Sequence, residues 1–157
     1  MTQGVLFVCL GNICRSPTAE AVFRHRAKQA GLRDLLVDSC GTGGWHVGEA
    51  PDRRAQAAAR ARGYDLSALR ARQVSPSDFS RFDWILAMDE QNLADLQRLC
   101  PDNWRGHLGL FLELAPELGV REVPDPYYGG PEGFDRVLDL IEVASDALIG
   151  RLLSKQD

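Results

Sequence analysis

At 157 residues, with 45% hydrophobic and 25% charged side chains, the chain has the size and balance of one soluble globular domain, expected to span residues 1–157. The formal charge of −4 makes no electrostatic case for binding nucleic acid. No apolar run approaches the roughly 20 residues that cross a bilayer, so no membrane partner is expected. The first residues lack a basic stretch followed by an apolar core, so they do not read as a signal peptide, and a reducing cytoplasm is the expected compartment. Cys9, Cys14, Cys40 and Cys100 show no CxxC pair and no zinc pattern, and His25, His46 and His107 lie far apart; no metal and no cofactor are expected.

In chain order, Val5-Leu6-Phe7-Val8 reads as a buried strand. The loop Cys9-Leu10-Gly11-Asn12-Ile13-Cys14-Arg15 follows it. A helix is then predicted from Pro17 to Ala30, with Ser16 as its N-cap, Pro17 at the first helical position and Gly31 as its stop. Leu35-Leu36-Val37 reads as a second strand, which makes a right-handed βαβ unit. Ser39 to Glu49 reads as a loop, Pro51 to Arg62 as a helix ended by Gly63, and Ser75-Pro76-Ser77-Asp78 as a further helix start. Trp84–Ala87 reads as a third strand, with Asp89 capping a helix over Asn92, Leu93, Leu96 and Leu99. Leu108–Leu112 reads as a fourth strand. The stiff stretch Val123-Pro124-Asp125-Pro126-Tyr127-Tyr128-Gly129-Gly130 then leads into a helix from Pro131 to Leu153, with Phe134, Val137, Leu138, Ile141, Ala144, Leu148 and Leu152 on one face. Alternating strands and helices predict an α/β open sheet with helices on both faces and ligands at the carboxyl ends of the strands.

The loop after the first strand is where chemistry is expected. A short loop feeding a helix N-terminus gathers unpaired N–H groups at the positive end of the helix dipole. Gly11 and Asn12 accept left-handed backbone angles, so the loop can curl into a nest around an anion. Arg15 adds a planar fork that matches phosphate oxygens, and Cys9 sits where the positive field favours its thiolate. Together these suggest a nucleophilic cysteine aimed at phosphorus. Cleaving a phosphate monoester also needs a proton for the leaving oxygen. Among 22 acidic residues, Asp125 stands out because its loop is stiff and the adjacent Tyr127 and Tyr128 could wall an aromatic substrate. Trp45 either walls the same pocket or covers the core, and His46 either touches substrate or is merely exposed.

Cys, five residues, Arg is the signature of cysteine-dependent phosphatases. The fuller string V-C-L-G-N-I-C-R-S-P near the N-terminus resembles the low-molecular-weight protein tyrosine phosphatase family. D-S at 38–39, A-P-D at 50–52, A-R-Q at 71–73, M-D-E-Q-N at 88–92 and D-P-Y-Y at 125–128 fall in that family's order. The resemblance implies a four-stranded parallel sheet of flavodoxin-like order. It implies a protein tyrosine phosphatase that works through a cysteinyl-phosphate, with Cys9 as nucleophile, Arg15 and the amides of residues 10–15 binding phosphate, and Asp125 as general acid and then base. The implied partners are a phosphotyrosine-bearing protein as substrate and phosphate as product and inhibitor. Substrate-binding positions are then Leu10, Gly11, Asn12, Ile13, Cys14, Ser16, Trp45, Tyr127 and Tyr128, with Ser39 and Asp89 in support. Ser16 either caps the helix or, as the resemblance implies, stabilises the Cys9 sulfur as it leaves; Asn12 and Ser39 resemble family residues that brace the loop. One departure stands out: several relatives carry a His three residues before the Arg of A-R-Q, where this chain has Leu69.

Two rivals differ in residues that can be read. Thioredoxin-linked arsenate reductases share the fold and the loop but need two relay cysteines after the third strand, where this chain has Met88-Asp89-Glu90-Gln91-Asn92. A non-catalytic phosphotyrosine-binding module would need the cradle and Arg15 but not both Cys9 and Asp125. A thiolate at Cys9 is also oxidisable, and Cys14 in the same loop either traps its sulfenic acid as a disulfide or packs into the core.

Overall fold

The computed structural model describes residues 2–156, so residues 1 and 157 of the expected domain lie outside it. Four strands, β1 (Gln3–Cys9), β2 (Leu35–Gly41), β3 (Trp84–Ala87) and β4 (His107–Leu110), form one sheet in the order β2-β1-β3-β4. Every pairing is parallel: Val5 lies beside Val37 on one side and Trp84 on the other, and Ile85 lies beside Leu108. This is the predicted flavodoxin-like arrangement. The order reverses at β1, so a crevice opens at its carboxyl end, where Cys9 ends the strand.

Alternation along β1 divides the core into two. Val5, Phe7 and Cys9 face one side, packed with α1 (Arg15–Gln29), α2 (Arg53–Arg60) and α5 (Pro131–Gln156). Leu6 and Val8 face the other, with Phe79 of α3 (Asp78–Arg81) and Leu96 of α4 (Glu90–Leu99). Both faces of β1 are covered, which is why its sequence is a continuous apolar run rather than an alternating one. The predicted stripe of α5 is buried throughout, from Phe134 to Leu152.

Several boundaries differ from expectation. The first helix begins at Arg15, two residues early, with Cys14 at its N-cap; Ser16 lies inside the helix and does not cap it, and Pro17 is its third residue. The loop's own hydrogen bonds to Cys14 O, from Thr18 N and Thr18 Oγ1, wind that extra turn. β2 runs on to Gly41, so the predicted loop at Ser39 starts later, at Thr42. β4 ends at Leu110 because Phe111–Leu114 turn into a 3-10 helix. Asp52 caps α2, accepting from the amides of Arg54 and Ala55, which trims the expected helix to Arg53–Arg60. Asp89 caps α4 as predicted, accepting from Asn92 N at 2.8 Å.

Candidate active site

The Cys9–Arg15 loop turns its carbonyls outward. Cys9 O accepts from Thr42 N, Leu10 O from Gly43 N and Ile13 O from Asp52 N. With the carbonyls so anchored, the amides face the other way. Among the described residues no group accepts from the N–H of Leu10, Gly11, Ile13, Cys14 or Arg15, while Asn12 N points at Cys9 Sγ, 3.3 Å away. Uncommitted amides around one point form an anion nest at the start of α1.

Asn12 makes the curl possible. It is the left-handed residue of the loop, at φ 58°, a conformation Asn adopts more readily than most residues. Its buried side chain fixes that geometry: Oδ1 accepts from Arg72 N at 3.0 Å, and Nδ2 donates to Ser16 Oγ at 2.8 Å and to Ser39 Oγ at 3.0 Å. Gly11 serves a different purpose from the one expected. It has no left-handed angle, but a Cβ there would meet His46 Cδ2 at 2.9 Å, so its bareness lets the His46 ring close over the loop.

Cys9 is almost fully buried at the floor of the nest, and Ser16 Oγ lies 2.9 Å from its sulfur. Ser16 does not cap the helix; its hydroxyl faces the Cys9 sulfur instead. Leu69, in the position of the missing histidine, packs on the main core, and Ser16 is held without it by Asn12, with the carbonyl of Cys40 3.3 Å from its hydroxyl. Cys14 is also buried, and burial, with Asp52 and Cys9 nearby, pushes its thiol up to about 12. Ile13 turns its side chain into the core and contributes only backbone to the nest.

Arg15 reaches from α1 to Asp89 at the end of β3 and to the loop that precedes α5. Nη1 donates to Asp89 Oδ2 at 2.7 Å and to Val123 O at 3.0 Å, and Nη2 lies 3.8 Å from Asp125 Oδ2. Burial alone would disfavour its charge, but Cys9, Asp89 and Asp125 outweigh that and raise its affinity for the proton. Val123 is itself tied to the end of β3 by its amide, which donates to Met88 O at 2.8 Å. Asp125 follows two residues later with Oδ1 accepting from Tyr127 N at 3.0 Å; its side chain is 44% exposed, so it reaches solvent while held in an Asx turn.

These residues line one cavity of about 320 Å3, with Cys9 and Arg15 at its base and Asp125, Trp45, Tyr127 and Tyr128 around it. Trp45 is 71% exposed, which decides between its two readings: it is a wall and not a core cover. His46, open to either reading in the sequence, lines the cavity and bonds through Nδ1 to Glu49 Oε1 at 3.1 Å. Of the sequence-predicted residues, Cys9, Leu10, Gly11, Cys14, Arg15, Trp45, Asp125, Tyr127 and Tyr128 line the cavity, while Asn12, Ile13, Ser16, Ser39 and Asp89 do not. Sequence reading missed the Val123 carbonyl, the Arg72 amide and the buried carboxylate of Glu20 behind Ser39. The first two are backbone groups that no side-chain pattern reveals. Glu20 was visible as a carboxylate one turn after Ser16, paired at i,i+4 with Arg24. Among the described residues no cluster of three His, Cys, Asp or Glu side chains is placed to hold a metal.

The sequence pattern of the family described as "Low molecular weight phosphotyrosine protein phosphatase" matches residues 4–157. A protein of that name from Schizosaccharomyces pombe is 48% identical over 147 residues, covering 92% of this chain and 94% of its own. A low molecular weight protein-tyrosine-phosphatase from Streptomyces coelicolor is 48% identical over 153 residues, covering 95% and 93%. The crystal structure of a protein tyrosine phosphatase from Entamoeba histolytica superposes with a TM-score of 0.94 at 39% identity, covering 99% of this chain and all of that one. With a nest of free amides around Cys9, Arg15 beneath it and this likeness along nearly its whole length, the chain belongs to the low molecular weight phosphotyrosine protein phosphatase family.

Proposed function

We propose that this protein hydrolyses phosphotyrosine and other aryl phosphate monoesters through a phosphocysteine on Cys9. The observation that carries the reading is the nest itself: a buried sulfur encircled by free amides and an arginine, with one carboxylate on the rim of the same cavity. The phosphate's non-bridging oxygens take the loop amides and the free face of Arg15. Cys9 Sγ attacks phosphorus in line; the S–P bond forms as the P–O bond to the phenol breaks, and Asp125 gives the leaving oxygen its proton. Asp125, now ionised, takes a proton from the water that attacks phosphorus. The S–P bond then breaks, with the Ser16 hydroxyl donating to the departing sulfur and phosphate released. The amides do no covalent chemistry; their pre-set positions supply the stabilisation.

The walls favour a ring. Trp45, Tyr127 and Tyr128 stand well out from the loop, so a phosphate at the bottom must be carried on a long side chain. Hydrolysis of a phosphotyrosyl peptide and its phosphoseryl counterpart is the direct comparison: the account expects the first to turn over and the second to be barely cleaved, and equal rates would contradict it. Asp125→Asn is expected to slow esters of basic phenols by about a hundredfold while barely affecting esters of acidic ones, which leave without a proton. Equal slowing across a leaving-group series would mean another group supplies the proton. The arsenate-reductase alternative is disfavoured because Met88–Asn92 offer no relay thiol and Cys100 lies at the far end of α4. A pure binding module is disfavoured by Asp125, which a cradle alone does not need.

The four cysteines are free, which suits a reducing cytoplasm, and Cys14 beside Cys9 offers a reversible trap for a Cys9 sulfenic acid. Its raised thiol sets the pH dependence. Below about 12 the attacking thiolate fraction of Cys14 grows with pH, so capture of oxidised Cys9 is expected to accelerate about tenfold per pH unit through the neutral range. Mass spectrometry of the Cys9–Cys14 peptide after peroxide, timed at several pH values, reads this; a pH-independent rate, or equal recovery of wild type and Cys14→Ser with dithiothreitol, would remove Cys14 from any protective role.

A further inference from the structure

We infer that Glu20 is a positioning residue for the reaction at Cys9: its buried carboxylate, acting through Ser39 and Asn12, holds the Ser16 hydroxyl as a donor to the Cys9 sulfur. This rests on the reading of Cys9 as nucleophile.

Glu20 lies one turn beyond Ser16 on α1 and is only 4% exposed, a rare place for a carboxylate. Oε1 accepts from Ser39 Oγ at 2.7 Å, and Oε2 accepts from Arg24 Nη2 at 2.6 Å. An ionised carboxylate can only accept, so the one proton of Ser39 points at Glu20. Ser39 Oγ must therefore accept from Asn12, as its 3.0 Å bond to Nδ2 requires. Arg72 N on Asn12 Oδ1 fixes the amide the same way round, and the second Nδ2 proton goes to Ser16 Oγ. Ser16 then has its own proton left to give, to Cys9 Sγ at 2.9 Å rather than to Cys40 O at 3.3 Å. The chain from Glu20 to Cys9 thus runs in one direction. Without the carboxylate, the Ser39 proton is free to turn toward Asn12 and compete with Nδ2, and Asn12 is the residue that holds the loop's left-handed turn.

Leu69 gives this network no cation, and the cation that faces Glu20 is Arg24 on its own helix, half exposed and also bonded to Val37 O. Asp38 of β2 also faces it. Burial, followed by Asp38, raises the Glu20 carboxyl against the pull of Ser39 and Arg24. A raised carboxyl means the folded protein holds this proton more tightly than the unfolded chain. Stability is therefore gained as pH falls through the raised value and given up above it. The ionised carboxylate costs the fold stability in the neutral range, where its hydrogen-bond chain serves Cys9.

The test is a double-mutant cycle on Glu20→Gln and Ser16→Ala, read by the rate at which the phosphocysteine formed from p-nitrophenyl phosphate breaks down and by Tm. Glu20→Gln should lower the rate about tenfold at neutral pH with Tm unchanged or raised, and should cause no further loss in the Ser16→Ala background. Additive losses, a wild-type rate, or a rate that falls only with the folded fraction would overturn the proposal. Should Glu20→Gln not fold, Arg24→Gln at its half-exposed position takes its place: removing the cation lifts the Glu20 titration further, so the acid limb of the phosphocysteine breakdown rate moves to higher pH, and an unmoved limb overturns the proposal. Wild-type protein inert toward p-nitrophenyl phosphate would instead overturn the phosphatase reading, an outcome separate from turnover that ignores Glu20.

Discussion

Cys9→Ser should lose turnover by a factor on the order of 10^4 or more while still binding phosphate or vanadate. The free amides of the loop and the Arg15 guanidinium are untouched by the change, and they hold the anion. What disappears is the nucleophile: a serine hydroxyl at this site has no base within reach, since its neighbour Ser16 is another hydroxyl and Asn12 offers an N–H. Binding measured by calorimetry alongside the rate separates the two contributions. Residual hydrolysis above a few per cent of wild type would take Cys9 out of the mechanism.

Arg15→Lys should lower kcat/KM by at least about a hundredfold, although the charge is kept. Arg15 performs two tasks at once. Nη1 is committed to Asp89 and the Val123 carbonyl, which holds the Asp125 loop against the nest, and the rest of the planar fork faces the cavity. A lysine ammonium is one point on a flexible stem. It can satisfy Asp89 or reach the phosphate, and doing either leaves the other group without its partner in a largely buried place. Loss of phosphate affinity together with loss of kcat is the expected signature. A variant with near-normal kcat and only a raised KM would mean that Arg15 binds the ground state alone.

Much of this was legible in the sequence because local rules and fold agree. The continuous apolar run of β1 is what a strand covered on both faces requires, and the periodic stripe of α5 matches its buried face residue by residue. The active-site loop was legible because its residue types are each demanded by the geometry. The start of α1 was not: Ser-Pro is a strong helix-start signal, yet the helix begins earlier because Thr18 bonds back to Cys14, which frees Ser16 to face the sulfur. The end of β4 was misjudged because the apolar run Leu110-Phe111-Leu112 stays buried while its backbone turns into a 3-10 helix, and burial alone does not distinguish the two. The roles of Val123 and Arg72 lie in backbone groups brought in from distant loops, which only the folded chain reveals.

The most direct test of the account is to trap its intermediate. Wild-type protein mixed with p-nitrophenyl phosphate, quenched in acid within the first turnover and digested, should yield a peptide phosphorylated on Cys9, absent from Cys9→Ser, and accumulating further in protein whose second step is slowed by Asp125→Asn. Turnover with no covalent phosphate, or phosphate found on a residue other than Cys9, would contradict it.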